Sequence, residues 1–202
     1  MFLDYIIYLF MGLATSVVGA VPFGLVNLTV LNVSLEQGSR AALRIARGAS
    51  FVEVLFGLTA ILAGSLVYQH IEGNSIISYI VMAVLIGGGL FFLLKKQNIG
   101  TTRSIKHSGF LKGMVLNLIS MQVFLFWILA VTFLSSRQLI KFDPASILVF
   151  IAGIWFGKMI VLRLYIGLSK KLLSGSRIIS TNINRIIGFV LFGMALVQFI
   201  KM

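Results

Sequence analysis

The chain has 202 residues, of which 59% are hydrophobic and only 11% charged, with a net charge of +12 and no cysteine. A soluble domain carries roughly 25% charged residues, so this composition cannot cover a water-facing surface. The absence of thiols excludes disulfides, thiolate metal sites and thiol redox chemistry.

Six apolar segments follow one another, at residues 5–33, 48–68, 76–94, 110–134, 145–168 and 183–200. A 30 Å hydrocarbon core needs about 20 apolar residues per helix. The chain is therefore expected to be an all-α polytopic membrane protein, a single transmembrane domain over 1–202 with six spanning helices. Its amino terminus is apolar at once and carries Asp4 before any basic residue, so it is read as part of the first span. The basic residues lie between the apolar segments, which makes the lipid bilayer their simplest partner and argues against nucleic acid.

Orientation follows from those basic residues. Arg40, Arg44 and Arg47 flank the first connection. Lys95, Lys96, Arg103, Lys106 and Lys112 flank the third, and Lys170, Lys171, Arg177 and Arg185 the fifth. These twelve face only three on the opposite side, Arg137, Lys141 and Lys201. The positive-inside rule puts the odd-numbered connections in the cytoplasm and both termini outside. The basic third connection, about 95–109, separates one group of three helices (about 1–94) from another (about 110–202). Three helices per half force opposite orientations, which is the arithmetic of two inverted three-helix repeats. One register fits such a duplication: Gly48 precedes Glu53 by five residues, as Gly153 precedes Lys158.

Ionisable side chains in a bilayer are costly and face a cavity or one another. Three are placed inside the bilayer rather than at a flank: Glu53, Lys158 and Arg163. Measured from the nearest basic flank, Glu53 is expected roughly 9 Å into the second helix and Lys158 roughly 18 Å into the fifth. Glu53 is read as a proton carrier or a seat for a substrate ammonium, the alternative being a structural ion pair with Lys158 or Arg163. Lys158 is read as substrate-binding. Arg163 is read as a side chain reaching for the headgroups.

The first segment is interrupted by Gly19, Pro22 and Gly24, followed by Asn27. Proline removes a backbone donor and glycine lets the helix open. Backbone freed at membrane depth must line protein or a cavity, so Pro22, Gly24 and Asn27 are candidate substrate-binding residues. The fourth segment holds the matching place with Asn117, Ser120 and Gln122 but no proline. Asn117 and Gln122 are likewise candidate substrate contacts, with helix-to-helix hydrogen bonding as the alternative. Gly153 and Gly157 form a GxxxG pair that permits close approach within a subunit or in a homo-oligomer. No histidine or aspartate is placed to serve an intramembrane hydrolase, and no metal-ligand cluster or cofactor motif appears, so no enzyme is expected.

Taken together, the broken first segment, the run Glu36-Gln37-Gly38-Ser39-Arg40 with Gly48 after it, the stretch Phe110-Leu111-Lys112-Gly113 with Asn117-Leu118 and Phe126-Trp127, and the closing Asn184-Arg185-Ile186-Ile187-Gly188 resemble the lysine exporter (LysE/RhtB) family. The likeness runs in order along nearly the whole chain. Two departures mark a divergent member: Pro22-Phe23-Gly24 stands where the family has Pro-Gly-Pro, and Ser120-Met121-Gln122 where it has Asn-Pro-Lys. The resemblance implies export of amino acids or similar small metabolites across a bacterial inner membrane, driven by a proton gradient or the membrane potential. An inorganic ion carrier is the alternative within transport, and a single membrane carboxylate argues against it, because divalent cations want several hard oxygen ligands. A non-transporting membrane scaffold is the alternative outside it.

The topology is checked by cysteine labelling of single-cysteine variants. Lys106 and Ser174 should react from the cytoplasmic side, and Asn74 and Met202 from the outside. Labelling of Asn74 from the cytoplasmic side alone would overturn the assignment.

Overall fold

In hydrocarbon every backbone polar group must find its partner within the protein, and a helix does this inside one segment. The computed structural model describes residues 2–21, 24–69, 109–137 and 139–169, with isolated positions at 79, 83, 86, 87, 90, 192, 193 and 196. Among the described residues all regular structure is helical: α1 Phe2–Ala20, α2 Leu25–Glu36, α3 Ser39–Gln69, α4 Phe110–Ile119, α5 Met121–Ser136 and α6 Pro144–Gly167. The third and sixth expected spans, 76–94 and 183–200, lie outside the described residues apart from isolated positions, as do Pro22 and most of the basic linker. Three helical stretches are long and apolar enough to cross a membrane alone: Leu3–Ala20, Ser39–Gly64 and Pro144–Gly167. The pair Phe110–Ile119 and Gln122–Ser135, bent by 68°, makes a fourth if it is one span.

Two boundaries differ from the sequence expectation. The second helix begins at Ser39 rather than near Gly48, so Arg40, Arg44 and Arg47 are helical. Hydropathy marks where lipid ends, not where a helix ends, and Ala41, Ala42, Leu43 and the arginines are all strong helix formers. The connection before it shrinks to Gln37 and Gly38, whose φ of 84° makes the turn. The fourth segment was expected as one helix and is instead broken at Ser120 (φ −79°, ψ 68°) without a proline. The Ser120 hydroxyl donates to the Leu116 carbonyl at 2.7 Å, and its N–H bonds back to Asn117, so local bonds close the turn that ends α4. At the other extreme, α6 starts where its sequence says. Asp143 caps it, accepting from the Ser146 N–H at 3.0 Å, and Pro144 occupies the first turn. Hydrogen bonding to Ser146 holds the Asp143 carboxyl below its usual range.

Glycines set how the helices stack. A methyl group at Gly12 would overlap the Phe150 carbonyl, and one at Gly153 the Leu9 carbonyl. The backbones of α1 and α6 are thus in direct contact. A methyl at Gly157 would lie 2.6 Å from the Leu13 carbonyl oxygen, so the partner positions advance together and the two helices run parallel. The same device joins α3 and α4: Gly48 lies on the Phe110 carbonyl and Gly113 on the Ile45 carbonyl. Farther along, Gly57 meets Trp127 and Gly64 meets Val131, so α3 runs parallel to α4 and α5. Gly57 also meets Ile154 while Glu53 meets Lys158, which makes α3 and α6 antiparallel. The GxxxG pair of α6 is therefore spent on α1 within the chain.

Two apolar clusters result. One gathers Ala20, Val30, Leu31, Ala42, Ile45, Leu116 and Leu162 around the start of α3 and the end of α6. The other gathers Ile61, Phe126, Trp127, Val131, Phe150 and Ile154 at the opposite ends of those helices.

Gly48→Ala should destabilise by about 1–3 kcal/mol through backbone overlap. Gly167→Ala, with nothing within 4 Å of the added methyl, should be neutral or stabilising by up to about 1 kcal/mol. Thermal unfolding in detergent measures both, and equal effects would remove the close-approach account.

Candidate functional site

The interval between the two clusters is polar. Glu53 on α3 and Lys158 on α6 meet there, with Nζ 2.6 Å from Oε2 and side chains 1% and 3% exposed. Glu53 lies 14 residues into α3 and Lys158 14 residues into α6. Both are roughly 21 Å along their helices. The roughly 9 Å expected for Glu53 is its rise beyond Arg47, and α3 begins eight residues before that arginine, so distance along the helix and depth below the headgroups differ.

The remaining carboxylate oxygen, Oε1, accepts a 3.0 Å hydrogen bond from the Ser16 hydroxyl of α1. Three helices thus meet at one carboxylate. Ser16 also packs against Gly157, one residue before Lys158, where an added methyl would come 2.9 Å from the serine Cβ. Only a residue without a side chain lets α1 come that close to α6 at the level of the pair. Arg163 is exposed and is not part of the site; five residues from Lys158, it lies on another face of α6.

Ser16 lies five residues before the opening in the first segment, roughly 7 Å along the axis. Breaking a helix orphans carbonyls at its end, and two of them are taken up by side chains. Asn27 donates from Nδ2 to the Ala20 carbonyl at 2.7 Å. The Tyr165 hydroxyl, two turns beyond Lys158 on α6, donates to the Val21 carbonyl and is hydrogen-bonded to the Asn27 side chain. Gly24 precedes α2 in extended conformation (φ −88°, ψ 179°) and supplies no side-chain cap to it.

At the second break, Asn117 is fully buried and donates from Nδ2 to the Ala49 carbonyl at 2.7 Å, one turn before Glu53. Its Oδ1 has no hydrogen-bond partner. Gln122 opens α5 and is half-buried. Of the residues singled out from sequence, Glu53 and Lys158 touch. Asn27 and Asn117 each hold a backbone carbonyl, Asn27 beside the first break and Asn117 beside the second, and Gly24 and Gln122 border those breaks. Pro22 lies outside the described residues.

Sequence reasoning missed Ser16 and Tyr165. A hydroxyl one turn before a helix break, and another two turns from a buried lysine on the same helix face, were the available signals. Among the described residues no group of histidine, aspartate and glutamate could hold a metal ion.

Breaking a fully buried ion pair from one side costs about 3–5 kcal/mol, because a charge is left alone. Glu53→Gln and Lys158→Met should each show this loss in detergent unfolding, and the double variant should lose much less than the sum. Additive losses would mean that the two side chains do not share one interaction.

A family model described as LysE type translocator matches residues 17–201. Neither the curated proteins nor the solved structures yield a match. The matched stretch takes in the last turn of α1, both helix breaks, Glu53 and Lys158. It describes translocators, not enzymes, and implies a small-molecule substrate and a lipid environment. This chain, a multi-pass membrane protein, belongs to the LysE type translocator family.

Proposed function

We propose that the protein is a secondary active exporter of amino acids or similar small zwitterionic metabolites, driven by the proton gradient or the membrane potential. The observation that carries this reading is the buried Glu53–Lys158 pair between two apolar clusters. A zwitterion carries the same two charges. Its ammonium can take the place of Lys158 at Glu53, and its carboxylate the place of Glu53 at Lys158. The exchange leaves the net charge of the site unchanged, so the desolvation that would exclude a lone ion is met by the pair's own charges.

Glu53 is the proton-coupling residue in this reading. A proton placed on it removes the seat of the substrate ammonium and expels the substrate, and loss of that proton lets Glu53 take the next ammonium, so proton and substrate travel in opposite directions. Pro22, Gly24 and Asn27 at the first break, with Asn117 and Gln122 at the second, border the path and supply backbone and amide contacts. The unpartnered Oδ1 of Asn117 supports a role as an acceptor. Broken helices are the usual place for such contacts in secondary transporters.

The same reading takes the chain as one transmembrane domain of two inverted repeats, 1–94 and 110–202, in a bacterial inner membrane with both termini outside. Glycine contacts support it. Gly12 with Gly153 joins the first segment to the fifth, and Gly113 with Gly48 joins the fourth to the second. Exchanging the halves turns one pair into the other, and Gly48 and Gly153 each precede a charged residue of the site by five.

The test is flux in proteoliposomes with a set pH gradient, using substrates identified by comparing metabolites exported by cells with and without the protein. Folded Glu53→Gln should lose gradient-driven export, and Lys158→Met should raise the concentration needed for half-maximal flux. The exchanged variant Glu53→Lys with Lys158→Glu keeps a pair but reverses the two seats and moves the proton-binding group to α6. It should fold without restoring export. Full gradient-driven flux in either folded Glu53 variant would sink the coupling role.

A further inference from the structure

Helix α3 is 31 residues long, roughly 46 Å at 1.5 Å per residue, against a hydrocarbon core of about 30 Å. Its first turns therefore stand in the headgroup region. There Arg40, Leu43, Arg44 and Arg47 line one open groove of about 360 Å³. Their spacing of three and four puts them on one helix face. All three arginines are exposed. The buried ion pair Glu53–Lys158 lies elsewhere, and no ion pair among the described residues involves these guanidinium groups.

This placement runs against the helix's own electrostatics. The amino-terminal end of a helix is the positive end of its dipole, where anions stabilise and cations do not. Helix α3 has no acidic residue in its first turn and three arginines in its first nine residues. Dipole and side chains together make a concentrated positive site with no anion supplied by the described chain.

The stripe also changes character along the helix. One turn beyond Arg47, the exposed residues become Phe51 and Leu55, each 40% exposed. Phe110 of α4 is 41% exposed, with its ring centroid 6.1 Å from that of Phe51. The Arg44 side chain extends over Gly109, immediately before Phe110. A guanidinium cluster thus passes into a lipid-facing apolar track within about 6 Å of helix rise. A free anion needs only the first part. A phosphate with an acyl chain attached uses both.

We propose that this groove binds an anionic phospholipid, its phosphate held by Arg40, Arg44 and Arg47 and its acyl chain lying along Phe51, Leu55 and Phe110. The site is separate from the Glu53–Lys158 pair, and the proposal stands whatever substrate that pair carries. The second half of the stripe decides for a lipid over a soluble anion.

The test uses purified full-length protein in detergent, mixed with equal amounts of phosphatidylglycerol and phosphatidylcholine, and counts retained lipids by native mass spectrometry. Wild type should retain phosphatidylglycerol in preference. R40Q/R44Q/R47Q, whose exposed side chains leave the fold intact by circular dichroism, should lose that preference by roughly fivefold per arginine removed. Arg163→Gln, which removes an exposed arginine outside the groove, should keep it. Equal retention by wild type and the triple variant would overturn the proposal. A comparable loss in Arg163→Gln would overturn it too, because overall charge would then account for the binding. Displacement of the lipid by excess inorganic phosphate would reassign the groove to soluble anions and defeat the lipid assignment.

Discussion

The Glu53–Lys158 pair is the constraint from which the rest of the arrangement follows. Two charges at mid-helix depth are tolerable only together, dry and with their remaining bonding capacity met. That requirement fixes α3 and α6 antiparallel and in register at one level. It also fixes α1, because the second carboxylate oxygen needs Ser16. For Ser16 to arrive, α1 must lie against the backbone of α6, and Gly153 and Gly157 remove the side chains that would prevent it. The glycine contacts and the ion pair are one solution: close packing supplies no hydrophobic driving force in lipid, so it needs polar contacts to give it direction.

The two helix breaks extend the same polar layer. At the first, the carbonyls of Ala20 and Val21 are held by Asn27 and Tyr165, side chains belonging to α2 and α6. At the second, α4 ends through bonds within its own turn, and Asn117 reaches out to α3. The first break is thus stabilised by other helices and the second largely by itself. Any motion that separates α6 from α2 must give up the Tyr165 bond. Motion of α5 about Ser120 need not disturb the turn's own bonds. That asymmetry divides the polar layer into a part tied to the pair's lysine helix and a part hinged on α4.

How much of this could be read from the sequence depended on what each feature costs. Glu53 and Lys158 were legible because a charge in lipid is expensive enough to demand a reason. The start of α6 was legible because Asp143 and Pro144 are a cap and a first-turn residue in the right order. The start of α3 was not, because its arginines interrupt the hydropathy while continuing the helix. The break at Ser120 was not, because a serine hydroxyl bonding back to Leu116 leaves no mark comparable to a proline. Ser16 was hidden among many hydroxyls of similar setting, and only the fold shows which of them reaches a carboxylate. Glycine gave a partial signal: the shared five-residue offset of Gly48 and Gly153 was visible, but the backbone contacts that give it meaning were not.

A membrane protein that only needed stability would do better with an apolar pair of the same volume at this place, since buried ion pairs are often neutral or costly beside hydrophobic packing. The retention of charge where the flanking residues are Val52, Val54, Gly157 and Met159 therefore asks for a use that an apolar pair could not serve. Specifying the register of α3 against α6 is one such use, but the reciprocal glycine contacts already specify how α1 meets α6 and how α3 meets α4. In the proposed function, what the charges add is exchangeability. A glycine contact has no competitor in solution, whereas each half of an ion pair can be replaced by an ion of the same sign. A site built to be traded with a zwitterion needs both charges, a dry setting that keeps water from substituting, and breaks close by that let the surrounding helices part.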